Sequence, residues 1–294
     1  MHWLSLSILC AFSLATADAF SKRYFQRFRD DELVISRFAY SAVALLPWIV
    51  YEPPTMPAGP FWLWVGVAIP LEVGAMLLYM RAVRDCPLSL SQPMLAFTPV
   101  FTVPVAALLL GEAVSLTGMI GIALVVAGTL LLNLGSMDRD ARVIRSLIPA
   151  LMTQSGTRLM LAVSLIYGVT SVLGKGALAY MPAARFGPFY FVLVSLFSMV
   201  FLTGRRPASI VCLRYRPSLQ LLVGMLMAVM IYTHFLALDQ VQSSYMIAAK
   251  RSSILFSVIY GSLCFHEGRL VQRLIAAIIM LAGVGLLAVS PVGS

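Results

Sequence analysis

Ten stretches of this 294-residue chain are apolar over about twenty residues each, near 3–20, 33–51, 61–81, 88–110, 114–134, 159–180, 187–203, 218–238, 242–264 and 270–290. Wound as helices rising about 1.5 Å per residue, runs of that length cover about 30 Å of hydrocarbon. No water reaches backbone N–H and C=O groups in the bilayer core. Runs this long must therefore satisfy them internally, as helices and not as the shorter strands of a barrel. The connections are short. A composition with 60% hydrophobic and 11% charged residues lies far outside that of a soluble domain. The expected fold is an all-α integral membrane protein with ten transmembrane helices.

The first run contains Ala15-Thr16-Ala17, which mimics a signal-peptide cleavage site, but no Lys or Arg precedes it, so it is read as the first membrane helix. The formal net charge is +9. Its basic residues are scattered over short loops and not gathered into a domain, which argues against nucleic acid as a partner. Apart from Arg185, the loop Lys and Arg follow odd-numbered runs, as in Lys22, Arg23, Arg27 and Arg29 or Arg205, Arg206, Arg214 and Arg216. The positive-inside rule puts those loops in the cytoplasm and both termini outside. Cys10, Cys86, Cys212 and Cys264 show neither metal spacing nor a paired pattern, and read as small apolar residues.

Shifting the chain on itself by 155 residues without a gap lays "LLLGEAVSLTGMIGIALVVAGTLLL" over "LCFHEGRLVQRLIAAIIMLAGVGLL". Glu112 then meets Glu267, Gly128 meets Gly283, and Phe101 meets Phe256. Each half holds five runs, and an odd number turns the second half over in the membrane. The expectation is two inverted five-helix repeats, 1–134 and 159–294, joined by a polar linker at 135–158, with a site at the midplane between them.

"LAFTPVFTVPVAALLLGEAVSLTGMIGIALVVAGTLLL" resembles the fourth and fifth helices of EamA-type transporters of the drug/metabolite transporter superfamily. "SRF" at 36–38 and "YGVTSVLGK" at 167–175 are similar to further family segments, whereas "SLATADAFSK" in the first run lacks the usual aromatic-glycine pair. The resemblance implies a multi-pass transporter in a cell membrane, with a bacterial inner membrane the expected one. It also implies both termini in the cytoplasm, against the orientation drawn from the basic loops.

The residues that need explaining are the charges inside the runs. Lys250 lies about 12 Å into the ninth run at about 1.5 Å per residue, beside Arg251. Each such charge at a helix centre costs about 2.5 to 3.5 kcal/mol on insertion scales. Ser243, Lys250, Ser253, Ser257 and Tyr260 fall on one helical stripe. The stripe reads as the wall of an anion site, and the alternative is an ion pair with Glu72 or Asp18. A similar Lys-Arg pair binds phosphate in the triose-phosphate/phosphate translocators of the same superfamily, which raises that expectation. Glu72 is a carboxylate deep in the third run, costly to keep ionised, and so a candidate proton carrier or a partner for the pair. Tyr79 lies seven residues on, and the repeat places His234 in the equivalent position of the eighth run. Both are candidate substrate contacts. Lys175 matches a lysine of the family, with Gly168, Gly174 and Gly176 leaving room beside it. Asp18, a further coupling candidate, has Lys22 one turn away as its plain partner. Glu112 and Glu267 read as structural. Pro93, Pro99 and Pro104 interrupt the fourth run.

The expected function is a secondary transporter moving a small anionic metabolite, phosphorylated, carboxylate or lipid-linked, by alternating access. A proton-coupled exporter of amino acids or amphiphiles is the alternative. There is no HExxH, Gly-x-Ser-x-Gly or Walker loop in the sequence, so no enzyme, catalytic residue, cofactor or metal is expected. The partners are the substrate and the lipid bilayer, with a homodimer left open.

Overall fold

The structure, a computed structural model, describes residues 2–54, 57, 59–85, 92–134, 155–256, 260 and 270–290. All the regular structure among those residues is helical, with no strand. In chain order the helices are α1 (Trp3–Tyr24), α2 (Asp30–Tyr51), α3 (Pro60–Asp85), α4 (Thr98–Leu110), α5 (Leu116–Leu134), α6 (Ser155–Leu178), α7 (Ala183–Arg205), α8 (Pro217–Gln240), α9 (Ser243–Lys250) and α10 (Leu270–Val289). Single 3-10 helices at Gln92–Phe97 and Pro207–Arg214 lead into α4 and α8.

Six helices, α1, α2, α3, α6, α7 and α8, are long and apolar enough to cross a membrane, and Met94–Leu110, Leu116–Leu131 and Ile275–Val289 are shorter apolar helices. The chain is a multi-pass membrane protein. Two of the expected spans take a different form. The fourth run starts in the tighter 3-10 winding, and Pro99 sits in the first turn of α4, where its missing N–H would have had no partner; Pro104 lies inside the helix. The ninth run is broken. α9 stops after eight residues, Arg251 and Ser252 form a turn, and Ser253–Phe256 is helical again. The Ser252 hydroxyl donates to Ala249 O at 2.8 Å, a local bond that competes with the α-helical ladder.

The start of α2 sets the depth of Arg37. Arg29 N donates to the Glu32 carboxylate at 2.9 Å, closing a capping box, and Asp30, Asp31 and Glu32 put negative charge at the positive end of the helix. The helix thus begins three residues before the apolar run, and Arg37 stands two turns inside it.

The most extensive packing joins α5 to α10, α3 to α6, α1 to α8 and α2 to α7. At the α5–α10 crossing, a Cβ added to Gly128 would lie 2.8 Å from Met280 N and 2.9 Å from Ala276 O. One added to Gly283 would lie 2.8 Å from Gly121 O and 2.9 Å from Val125 N. Each of these atoms is carried onto its counterpart by the 155-residue offset. Gly128→Ala is expected to lower stability by about 1 to 3 kcal/mol, because backbone and not a side-chain tip must give way. Gly285→Ala, on α10, where an added Cβ meets nothing within 4 Å among the described residues, should leave the melting temperature in detergent unchanged.

Candidate functional site

A central cavity of about 120 Å³ is enclosed by α1, α2, α3, α6, α7, α8 and the broken ninth segment. One water needs about 10 to 15 Å³ of such space, so the cavity suits several waters or the polar head of a small metabolite. Asp18, Glu72, Tyr79, His234, Lys250, Arg251 and Ser253 all line it. The apolar residues around them are Leu14, Leu95, Ile231 and the methionines Met76, Met227 and Met230, with Tyr167, Tyr190, Phe191 and Phe235 adding aromatic wall.

The break in α9 positions the basic pair. Because the helix ends at Lys250, the two side chains leave from a helix end and a turn, and not from adjacent points of one continuous helix. Lys250 Nζ lies 3.4 Å from His234 Nδ1, an acceptor when the imidazole is neutral with its proton on Nε2. Arg251 is 6% exposed. Its Nε is a buried donor without a hydrogen-bond partner among the described residues, and the Tyr190 hydroxyl is in the same condition. Buried donors of this kind are rare, because leaving one unmade costs about 1 to 3 kcal/mol. Glu72 lines the same cavity as the basic pair, and neither cation is within ion-pairing distance of a carboxylate among the described residues.

Asp18 has a different partner from the expected Lys22. Arg37 Nη1 donates to Asp18 Oδ1 at 2.6 Å, and Tyr79 donates to Asp18 Oδ2 at 3.3 Å. The Arg37 side chain is 4% exposed, and its Nε and Nη2 point to Met227 Sδ at 3.2 and 3.0 Å. With Arg37 counted, the cavity holds three cations against two carboxylates, one positive charge in excess.

Two expected contacts stand elsewhere. Lys175 does not line the cavity: its ammonium pairs with Glu112 Oε1 at 2.7 Å and donates to Val241 O at 2.5 Å. Gly111, at φ 69°, ends α4 in the left-handed conformation and turns Glu112 towards the second half. There Glu112 also accepts from Ser243 N at 2.9 Å and Ser243 Oγ at 3.2 Å. Glu112, Lys175, Val241 and Ser243 thus form a clasp between the α4–α5 turn, the end of α6 and the α8–α9 turn, beside a second, more open pocket. Tyr260 is hydrogen-bonded to Thr16 of α1 at 2.7 Å and does not line the cavity, since the turn at Arg251 shifts the phase of the stripe. Ser257 and Glu267 lie outside the described residues, as do Cys86, Cys264 and residues 135–154 of the expected linker.

Arg37, Tyr167 and Tyr190 were not among the expected site residues. Arg37 carried a signal, a charge within an apolar run. The tyrosines carried none, since an aromatic at helical spacing reads equally well as core.

Residues 1–134 match the EamA-like transporter family. No curated protein matches the chain. A solved crystal structure, titled only as that of a protein, aligns with 97% of this chain and 98% of its own at a TM-score of 0.72 and 13% identity, a likeness of fold alone. The family match covers a little under half of the chain and is a likeness to EamA-like transporters over residues 1–134.

Proposed function

We propose that the chain is an EamA-type secondary transporter of a small anionic metabolite, working by alternating access in a bacterial inner membrane. The observation that carries the reading is the cavity itself: one positive charge in excess, with the buried donors Arg251 Nε and Tyr190 OH left for a ligand to satisfy. Lys250, Arg251 and Ser253 hold the anion, and Tyr79 and His234 complete the wall. A carboxylate or a singly charged phosphate ester balances the excess.

Two inverted repeats, 1–134 and 159–294 with 135–158 between them, are the moving parts of this reading. It is supported by packing that maps onto itself when the halves are exchanged. α1 on α8 becomes α6 on α3, while α2–α7 and α5–α10 each map onto themselves. In this reading the clasp of Glu112 with Lys175 and Ser243 ties the two halves together, and Lys175 serves there instead of at the substrate.

A second reading rests on Glu72, a carboxylate in the same cavity. It makes the protein a proton-coupled exporter of amino acids or amphiphiles, with the basic pair as internal counter-charge. One experiment separates the two. Thermal stability of the purified protein is measured against anionic, zwitterionic and cationic metabolite pools, because a ligand of the folded state raises apparent stability by mass action. Stabilisation by anions is expected. Stabilisation by cations or zwitterions alone would sink the anion reading, and Glu72→Gln in liposomes would then be expected to abolish dependence on a pH gradient.

A further inference from the structure

We infer that the face formed by the α1–α2 and α7–α8 connections binds the headgroup of an anionic phospholipid, held by Arg27, Arg214 and Arg216 around Tyr215. The site is separate from the central cavity and independent of the substrate.

Tyr215 carries a guanidinium from each side of the sequence. The Arg27 carbon lies 4.8 Å from the ring centroid and that of Arg216 5.3 Å. The ring rests edge-on against Phe28, which stacks on Phe25, so the platform is fixed by packing. Arg216 holds its place at φ 47°, the one non-glycine residue with positive φ among the described residues, in a conformation that L side chains adopt only at a cost. Arg27, Arg214 and Arg216 are exposed, and no carboxylate pairs with any of them among the described residues. Their neighbours behave differently: Arg29 and Arg206 are taken by Asp31 and Glu32. Asp31 and Glu32 are thus spent on two arginines, while Arg27 and Arg216 on the Tyr215 ring, with Arg214 beside it in sequence, have no carboxylate partner among the described residues.

The apolar surface beside the cluster identifies the source of that anion. In the 3-10 helix Pro207–Arg214, Ser209 and Cys212 turn inward, while Ile210 and Val211 are 45% and 64% exposed. This segment joins the end of α7 at Arg205 to the start of α8 at Pro217, so it runs along the membrane surface. Exposed aliphatic side chains next to unpaired guanidiniums match the boundary between acyl chains and phosphates. A free phosphate ion would use the arginines and gain nothing from Ile210 or Val211. Arginine's planar fork also suits a phosphodiester better than a point charge would.

The test uses the full-length purified protein in a neutral detergent, with its melting temperature followed as phosphatidylglycerol, phosphatidylcholine or inorganic phosphate is added. Phosphatidylglycerol is expected to raise it in a saturable way that weakens at high salt, and the other two are expected to leave it unchanged. Equal stabilisation by phosphatidylcholine, or by inorganic phosphate alone, would overturn the inference. Arg27→Gln combined with Arg216→Gln is expected to weaken phosphatidylglycerol binding on the order of thirtyfold, from about a factor of five for each basic residue at an anionic surface. Arg29→Gln, which removes a paired arginine of the same face, should keep wild-type affinity. Unchanged affinity in the double variant overturns the proposal, and the wild-type comparison of the three additives decides it if that variant does not fold.

Discussion

Arg37→Ala is expected to cost about 3 to 5 kcal/mol and to remove most of the folded protein from a detergent extract. The expected loss is large because the substitution removes one partner of a buried ion pair. The Arg37 side chain is 4% exposed and Asp18 27%, and the Asp18 carboxylate, now opposed by Arg37 at 2.6 Å, would be left half-buried in the cavity wall with the Tyr79 hydroxyl as its one remaining hydrogen-bond donor among the described residues. Met227 would also lose the guanidinium that packs on its sulfur. Removing both charges tests the cause. Asp18→Asn with Arg37→Met keeps the volume and leaves no uncompensated ion, so it should recover most of the lost stability, since replacing both members of a buried pair is often neutral. Size-exclusion profiles and melting temperatures of the two single variants and the double variant give the comparison. Equal losses in Arg37→Ala and the double variant would mean that the arginine acts through packing alone.

Arg37 also illustrates where the sequence stopped being readable. Its charge lay in plain view within the second apolar run, yet with the run starting at residue 33 it stood one turn from the surface, where an arginine can reach water. The structure starts α2 at Asp30, because the Arg29–Glu32 capping box and three acidic residues in the first turn stabilise polar residues as helix. That shift of three residues carries Arg37 into the interior. Asp18 went to the wrong partner for a related reason, since i, i+4 spacing on one helix is visible and a partner on the next helix is not.

That Lys250, Arg251, Glu72, Tyr79 and His234 gather around one cavity was legible because charge in hydrocarbon demands compensation and the internal offset pairs positions between halves. The offset also carried through to the backbone contacts of Gly128 and Gly283. Lys175 and Tyr260 show the limit of that logic. Glu112 reaches Lys175 only through the left-handed turn at Gly111, and a stripe drawn at 100° per residue holds only while the helix continues. It ends at Lys250. Tyr190 stayed invisible because what marks it is a buried hydroxyl without a partner among the described residues, a property of the packed state and not of residue type.

Arg251→Ala and Lys250→Ala should each weaken binding of an anionic ligand by about 1.5 to 3 kcal/mol, the range for hydrogen bonds to charged groups. In dissociation constants that is about ten- to a hundredfold for each. The two should differ in kind. Arg251 presents a planar fork whose Nε has no partner among the described residues, so Arg251→Lys keeps the charge, loses the second oxygen contact and should recover only part of the affinity. Lys250 is a mobile point charge that lies 3.4 Å from His234 Nδ1. Lys250→Arg should therefore bind nearly as well where space permits, whereas His234→Ala should change affinity less than Lys250→Ala. Neither alanine variant is expected to lose the fold, because neither cation makes an ion pair within 4 Å of a carboxylate among the described residues. Removing either one lowers the charge excess of the cavity and leaves no partner stranded. Isothermal titration with whichever anion the stability screen selects gives the affinities, and the melting temperature without ligand gives the fold. Undiminished binding in both alanine variants would refute the anion site. Collapse of the ligand-free protein would show instead that the pair is structural, holding Glu72 and the broken end of α9 in place.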